Sequence, residues 1–226
     1  MEYGNIVTGI FLSRPNRFIA HVEINGEKTV CHVKNTGRCR ELLIAGVKVI
    51  LERSDNPARK TEYDLVAVYK GEKLINIDSQ APNKVFGEWV RSSGYFGNLT
   101  LVKPECQYGN SRFDFYLETD QKKIFVEVKG VTLEENGVVL FPDAPTERGV
   151  KHLRELIGAA RNGYDAYVFF VIQMENCCYF TPNEVTHPGF AAALREASEN
   201  GVLVRAVNCM VSEKRLAIRD FVRCCL

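Results

Sequence analysis

Two short stretches hold the residues best suited to chemistry. Ser111-Arg112-Phe113-Asp114-Phe115-Tyr116-Leu117 is followed, after a polar break, by Phe125-Val126-Glu127-Val128-Lys129-Gly130. Both read as strands, whose successive side chains point to opposite faces. Phe113, Phe115 and Leu117 are expected on one face and Asp114 on the other, while Glu127 and Lys129 share the face opposite Val126 and Val128. A reversal centred on Asp120-Gln121 sets Asp114 directly across from Glu127, with Cβ atoms about 5 Å apart. Two facing carboxylates repel, and a divalent cation relieves the repulsion. Mg²⁺ or Mn²⁺ held by Asp114 and Glu127 would keep coordination positions for phosphate oxygens and a nucleophilic water. Lys129 could orient that water or neutralise charge developing on phosphorus. Phosphodiester hydrolysis needs this layout. The string is short, however, and a solvated hairpin with acids and a base on its polar face spells the same letters.

The elements around these strands divide into two grammars. Residues 5 to 77 read as short strands: Ile6 to Leu12, Phe18 to Ile24, Thr29 to Val33, Val47 to Leu51, Tyr63 to Tyr69 and Leu74 to Ile77. Asn25-Gly26 is a hairpin signal because both residues tolerate positive φ. Gly37 to Leu43 could form one or two helical turns. This pattern suggests a small barrel of the OB-fold kind over residues 1–80. Polar, Pro-containing Asp78-Ser79-Gln80-Ala81-Pro82-Asn83 marks the boundary. In residues 81–226 helices at Lys84 to Arg91, Glu147 to Arg161 and Pro188 to Asn200 alternate with strands, including fully apolar ones at Ala166 to Gln173 and Val202 to Val207. The expected class is α/β, with a sheet antiparallel in its first hairpin and parallel later.

Charge adds a hint about partners. The whole chain carries a net charge of only +1, but Arg14 to Lys60 contains ten bases against five acids, a bias that suits a polyanion and also fits scattered solvated charge. Within it, Gly37 in Asn35-Thr36-Gly37-Arg38 could leave backbone N–H groups free for a phosphate, with Arg38 and Arg40 adding charge; an ordinary turn with a Thr cap fits as well. Nucleic-acid-binding candidates are therefore Lys34, Thr36, Arg38 and Arg40 here, and Arg112, Arg148 and Lys151 near the carboxylates. At the start of the 147–161 helix, Thr146 or Asp143 is a candidate N-cap. Val150, Leu153, Ile157 and Ala160 follow the buried-face period, which puts Arg148, Lys151, His152 and Glu155 on or near the exposed side. Glu147 or His152 could line the site, as could Asp143. Phe11, Phe18 and Tyr63 are candidates for stacking on bases, or for the core.

Other classes find little support. Eight cysteines include no C-x-x-C, so reduced thiols are expected, and a zinc site from Cys31, His32 and Cys39 has no standard spacing. No Walker loop, G-x-G-x-x-G, H-E-x-x-H or G-x-S-x-G occurs. Ala166 to Ile172, the longest apolar run, is seven residues, too short for a membrane span. Met1-Glu2-Tyr3-Gly4-Asn5 lacks the features of a signal peptide, so a cytoplasmic location is expected.

The arrangement Asp114, Glu127-Val128-Lys129 resembles the PD-(D/E)xK nuclease superfamily. Four ordered blocks resemble the sugar fermentation stimulation protein A family: His32 to Cys39, Ser111 to Phe115, Glu127 to Leu133, and Phe141 to Gly149 with Lys151-His152-Leu153. The resemblance implies an N-terminal OB-fold, a PD-(D/E)xK restriction-endonuclease-like α/β domain, DNA as partner and a role in regulating sugar (maltose) metabolism. It implies metal binding by Asp114 and Glu127, catalysis by Lys129, and a tie of Glu88 to a superfamily glutamate on the preceding helix. Phe113 departs from the motif's usual Pro. Three functional expectations stand: a metal-dependent nuclease, a non-catalytic DNA-binding regulator, or a binding module for RNA or another polyanion, since an OB-fold does not choose its ligand by fold alone. Nucleases of this kind often pair to cut two strands, so a homodimer is a further expectation.

Overall fold

The computed structural model describes residues 1–35 and 37–226. The first unit is built from β1 (Ile6–Asn16), β2 (Ile19–Ile24), β3 (Glu27–Val33), β4 (Lys48–Arg53), β5 (Tyr63–Lys70) and β6 (Lys73–Asn76), in the order β3-β2-β1-β4-β5-β6. A parallel pairing of β3 with β5, Cys31 to Tyr63 through Val33 to Leu65, closes five strands into a barrel. Asn25 and Gly26 both adopt positive φ (52° and 84°) and join β2 to β3 directly, the geometry a two-residue turn requires. Phe11, Ala20, Val22, Cys31, Val33, Val49, Leu51 and Leu65 fill the interior. The 37–43 segment contains a single turn, with the N–H groups of Leu42 and Leu43 on the Cys39 carbonyl, the shorter of the two lengths expected above.

The second unit begins with α1 (Ala81–Ser92), then β7 (Leu99–Tyr108), β8 (Ser111–Thr119), β9 (Lys123–Val131), β10 (Leu133–Glu135), β11 (Val138–Phe141), α2 (Glu147–Arg161), β12 (Asp165–Ile172), β13 (Tyr179–Pro182), α3 (Pro188–Glu199), β14 (Leu203–Val211) and β15 (Leu216–Val222). The main sheet has the order β15-β14-β12-β9-β8-β7; β9, β12 and β14 are parallel and the outer pairs antiparallel. β12 is apolar on both faces because α1 covers one and α2 with α3 the other. Tyr167, Phe169 and Val171 meet the α1 side, and Ala166, Val168 and Phe170 the other. Helix α1 starts three residues earlier than the periodicity indicated, since Pro82 in the first turn forfeits no helical hydrogen bond. β7, an exposed edge strand, has no hydrophobic alternation by which sequence could reveal it.

The two units share one core. Barrel residues and the α2 side of the sheet form a continuous apolar cluster. Polar locks reinforce it: Gln173 donates to the Asn76 side chain (2.7 Å) and the Asp78 carbonyl (3.0 Å), and buried Asp78 pairs with Lys34 at 2.8 Å. Among the described residues, no helix is long and apolar enough to cross a membrane.

Candidate active site

β8 and β9 pair as Glu118↔Lys123, Leu117↔Ile124, Tyr116↔Phe125 and Phe115↔Val126, the register that a reversal about Asp120-Gln121 demands. The ladder stops one step before Asp114. There the backbone N–H of Val128 donates to Asp114 Oδ2 at 2.7 Å, so the side chain takes the bond a strand carbonyl would have taken. The kink also overturns one expectation about faces. Phe113 packs with Phe125 on the α2 side (ring centroids 5.3 Å apart), whereas Phe115 packs on Phe86 of α1 (5.0 Å). Strict alternation fails because the strand is bent: on β7, Glu105 sits at φ +53° between the pairs Pro104↔Phe115 and Cys106↔Phe113.

Asp114 and Glu127 converge where the strands part. Asn83 of α1 donates to Asp114 Oδ1 at 2.7 Å. Glu127 is 3% exposed. Its Oε1 accepts from Lys129 Nζ at 2.5 Å and from His152 Nδ1 of α2, while its Oε2 is buried with no partner among the described residues. Burial pushes the Asp114 carboxyl up, and the neighbouring Glu127 charge adds to the rise. Burial opposes ionisation of Glu127 too, but the His152 hydrogen bond and the Lys129 charge outweigh it and hold this carboxyl below the usual range. The pair is thus electrostatically unequal.

Among the other candidates, His152 is corrected from near-exposed to buried (4% exposed), with Arg148 Nε reaching its Nε2 at 3.4 Å. Arg148 is exposed one turn away. Lys151 donates to the Asn110 carbonyl (2.9 Å) beside the β7–β8 turn, and Arg112 pairs with Glu105 (3.2 Å), both remaining exposed. Glu147 turns toward His187 at 3.2 Å, away from the carboxylates. Thr146, not Asp143, caps α2, accepting from the Gly149 N–H. The Asp143 carboxylate lies against Gly37, bringing the barrel loop up to the start of α2. Glu88 is 61% exposed on its side chain and accepts from the Met1 amino group beside β15, so the helix reaches the site through Asn83 instead. Asn83 carries no chemical signal in the sequence, where it closes the polar stretch Asp78 to Asn83.

On the barrel, Lys34 is committed to buried Asp78 and is not free for a phosphate. Arg38 and Arg40 are exposed and line a cleft of about 460 Å³ with Arg14 and Arg17. Arg14, the first base of the Arg14 to Lys60 segment, holds this loop by donating to the carbonyls of Arg17, Asn35, Gly37 and Arg38. Thr36 lies outside the described residues. Phe11 is core, Tyr63 is half-buried against it, and Phe18 is exposed with Arg17 over its ring. Burial pushes the Cys31 and Cys39 thiols up to about 12, and His32 binds Asp64 at 2.8 Å. No group of three or more His, Cys, Asp or Glu side chains among the described residues is placed to hold a metal.

Two family models cover nearly the whole chain: the SfsA N-terminal OB domain over residues 12–77 and the sugar fermentation stimulation protein RE domain over residues 80–215. The chain belongs to the SfsA family. A sugar fermentation stimulation protein homolog of Clostridium beijerinckii is 59% identical over 222 residues, covering 98% of each chain. One from Desulfitobacterium hafniense is 62% identical over 222 residues, covering 98% of this chain and 97% of its own. The solved structure of Pyrococcus furiosus SfsA in complex with Ca²⁺ matches with a TM-score of 0.91 at 30% identity, over 100% of this chain and 98% of that one. An OB barrel followed by a mixed α/β domain is therefore the SfsA architecture.

Proposed function

We propose that this SfsA protein is a divalent-metal-dependent nuclease acting on DNA, with Asp114 and Glu127 holding Mg²⁺ or Mn²⁺. The observation that carries the reading is the buried, partnerless Oε2 of Glu127 beside Asp114. An ionised oxygen sealed from water without a donor is costly, and a cation is the partner that offsets the cost. The donor set fits a hard ion: two carboxylates suffice for Mg²⁺, which takes the rest of its shell from water, backbone oxygens and substrate phosphate. The complex of the P. furiosus relative with Ca²⁺ supports a cation on this family's scaffold. Such an ion supplies charge to the phosphate oxygens and acidifies a bound water. Asn83 and the Val128 N–H fix Asp114, Lys129 keeps an ammonium at the same edge, and the exposed Arg148 and Lys151 face the backbone of the substrate.

Calorimetry with Mn²⁺ on wild type and Asp114→Ala, then the same samples on labelled DNA, tests the reading. Wild type should bind Mn²⁺ and cleave, while the variant loses both and retains DNA. Unchanged hydrolysis by Asp114→Ala defeats the mechanism. A second reading, a DNA-binding regulator of sugar metabolism that does not cut, is favoured by the basic barrel cleft and by the family's name; it predicts DNA retention without metal uptake.

A further inference from the structure

We infer that His152 is a positioning residue for Glu127: its Nδ1–H occupies Oε1 and so leaves Oε2 as the oxygen offered to the ion. This rests on the metal-dependent reading above. Glu127 reaches β9's open end without a backbone donor of its own, unlike Asp114, which has the Val128 N–H. Its orientation depends on two side-chain donors, and Lys129 alone is a flexible one. His152 is sealed in α2's buried face, edge-on to Phe113 at 6.4 Å, so its ring has little freedom.

The direction of the hydrogen bonds follows from the partners. Arg148 Nε can only donate, so at 3.4 Å His152 Nε2 must accept. The ring proton is then on Nδ1, pointed at a carboxylate oxygen that can only accept. Arg148 to His152 to Glu127 is a one-way chain that ends on Oε1. At 4% exposure both ring nitrogens need polar partners, and the one facing Nδ1 is the Glu127 carboxylate itself. The sequence hid this chain because the period of α2 assigns His152 to a flank of the helix.

Two readouts test it without DNA. With four histidines in the chain, ¹⁵N NMR of imidazole-labelled protein resolves each tautomer, and His152 should be the Nδ1–H form. Mn²⁺ calorimetry should show His152→Phe binding about 10- to 100-fold more weakly. His152→Asn, whose amide nitrogen stands in for Nδ1–H, should recover most of the loss. An Nε2–H tautomer, or Mn²⁺ binding by His152→Phe equal to wild type, overturns the positioning role and leaves the metal reading standing. Wild type that takes up no Mn²⁺ overturns the metal reading itself. Should His152→Phe fail to fold, the smaller His152→Ala replaces it: Mn²⁺ binding weakened about 10- to 100-fold supports the role, and binding equal to wild type overturns it.

Discussion

At the scale of single residues, the site is a contest for Glu127. Lys129 Nζ lies 2.5 Å from Oε1 and offsets the charge that a cation would otherwise hold alone. Removing that ammonium frees the carboxylate for the ion but takes a positive donor from the reacting phosphate. Lys129→Met should therefore leave Mn²⁺ affinity undiminished while DNA cleavage slows on the order of 10²- to 10³-fold. Calorimetry and a single-turnover cleavage assay separate the two effects, and wild-type turnover by the variant would remove Lys129 from the chemistry.

At the scale of elements, close approaches and buried charge hold the site's walls in place. A Cβ at Gly130 would lie 2.6 Å from the Pro82 ring and 2.7 Å from Gln173 Oε1, so β9 touches α1 there without a side chain. Gly130→Ala should destabilise the fold by about 1–3 kcal/mol, read from the midpoint of urea unfolding. Glu134 of β10 ties the second unit to the barrel through Lys70 (2.8 Å) and Lys73 (3.4 Å). Burial pushes this carboxyl up, but the Lys70 hydrogen bond, the Gly137 N–H and the two lysine charges outweigh it and bring it from 4.5 to about 2. A depressed folded-state pKa stabilises the fold above the ordinary value, and that stabilisation is lost as pH falls from 4.5 through about 2. Glu134→Gln should thus cost about 2 kcal/mol at pH 7 and progressively less toward pH 2. A destabilisation independent of pH would show that the pair does not act through its charge.

At the scale of the whole molecule, one apolar cluster spans both units, and the loop bearing Arg38 and Arg40 abuts Asp143 ahead of α2. On the proposed reading, a phosphate backbone in the barrel cleft would meet Arg38 and Arg40. Each phosphate contact contributes about one counterion to the salt dependence of binding. The double variant Arg38→Ala/Arg40→Ala should lower the slope of log affinity against log salt by about 2, with Mn²⁺ uptake unaffected. An identical slope would place the DNA elsewhere.

What the sequence determined by itself was local. Asn25-Gly26 dictates its turn because both residues accept positive φ, and the hairpin around Asp120-Gln121 dictates the register that carries Asp114 toward Glu127. Helix α2 is legible from Thr146 to Arg161 because a cap and a period are properties of neighbours in the chain. Only the tertiary structure decided the rest. The kink that parts Phe113 from Phe115 needs β7, an edge strand with no periodic signature. Asn83 meets Asp114 across 31 residues, His152 meets Glu127 across 25, and Lys34 is claimed by Asp78 across 44. Those partners are chosen by how helices and barrel pack on the sheet. Burial then sets which charges pair and which oxygen, Glu127 Oε2, is left without a donor among the described residues.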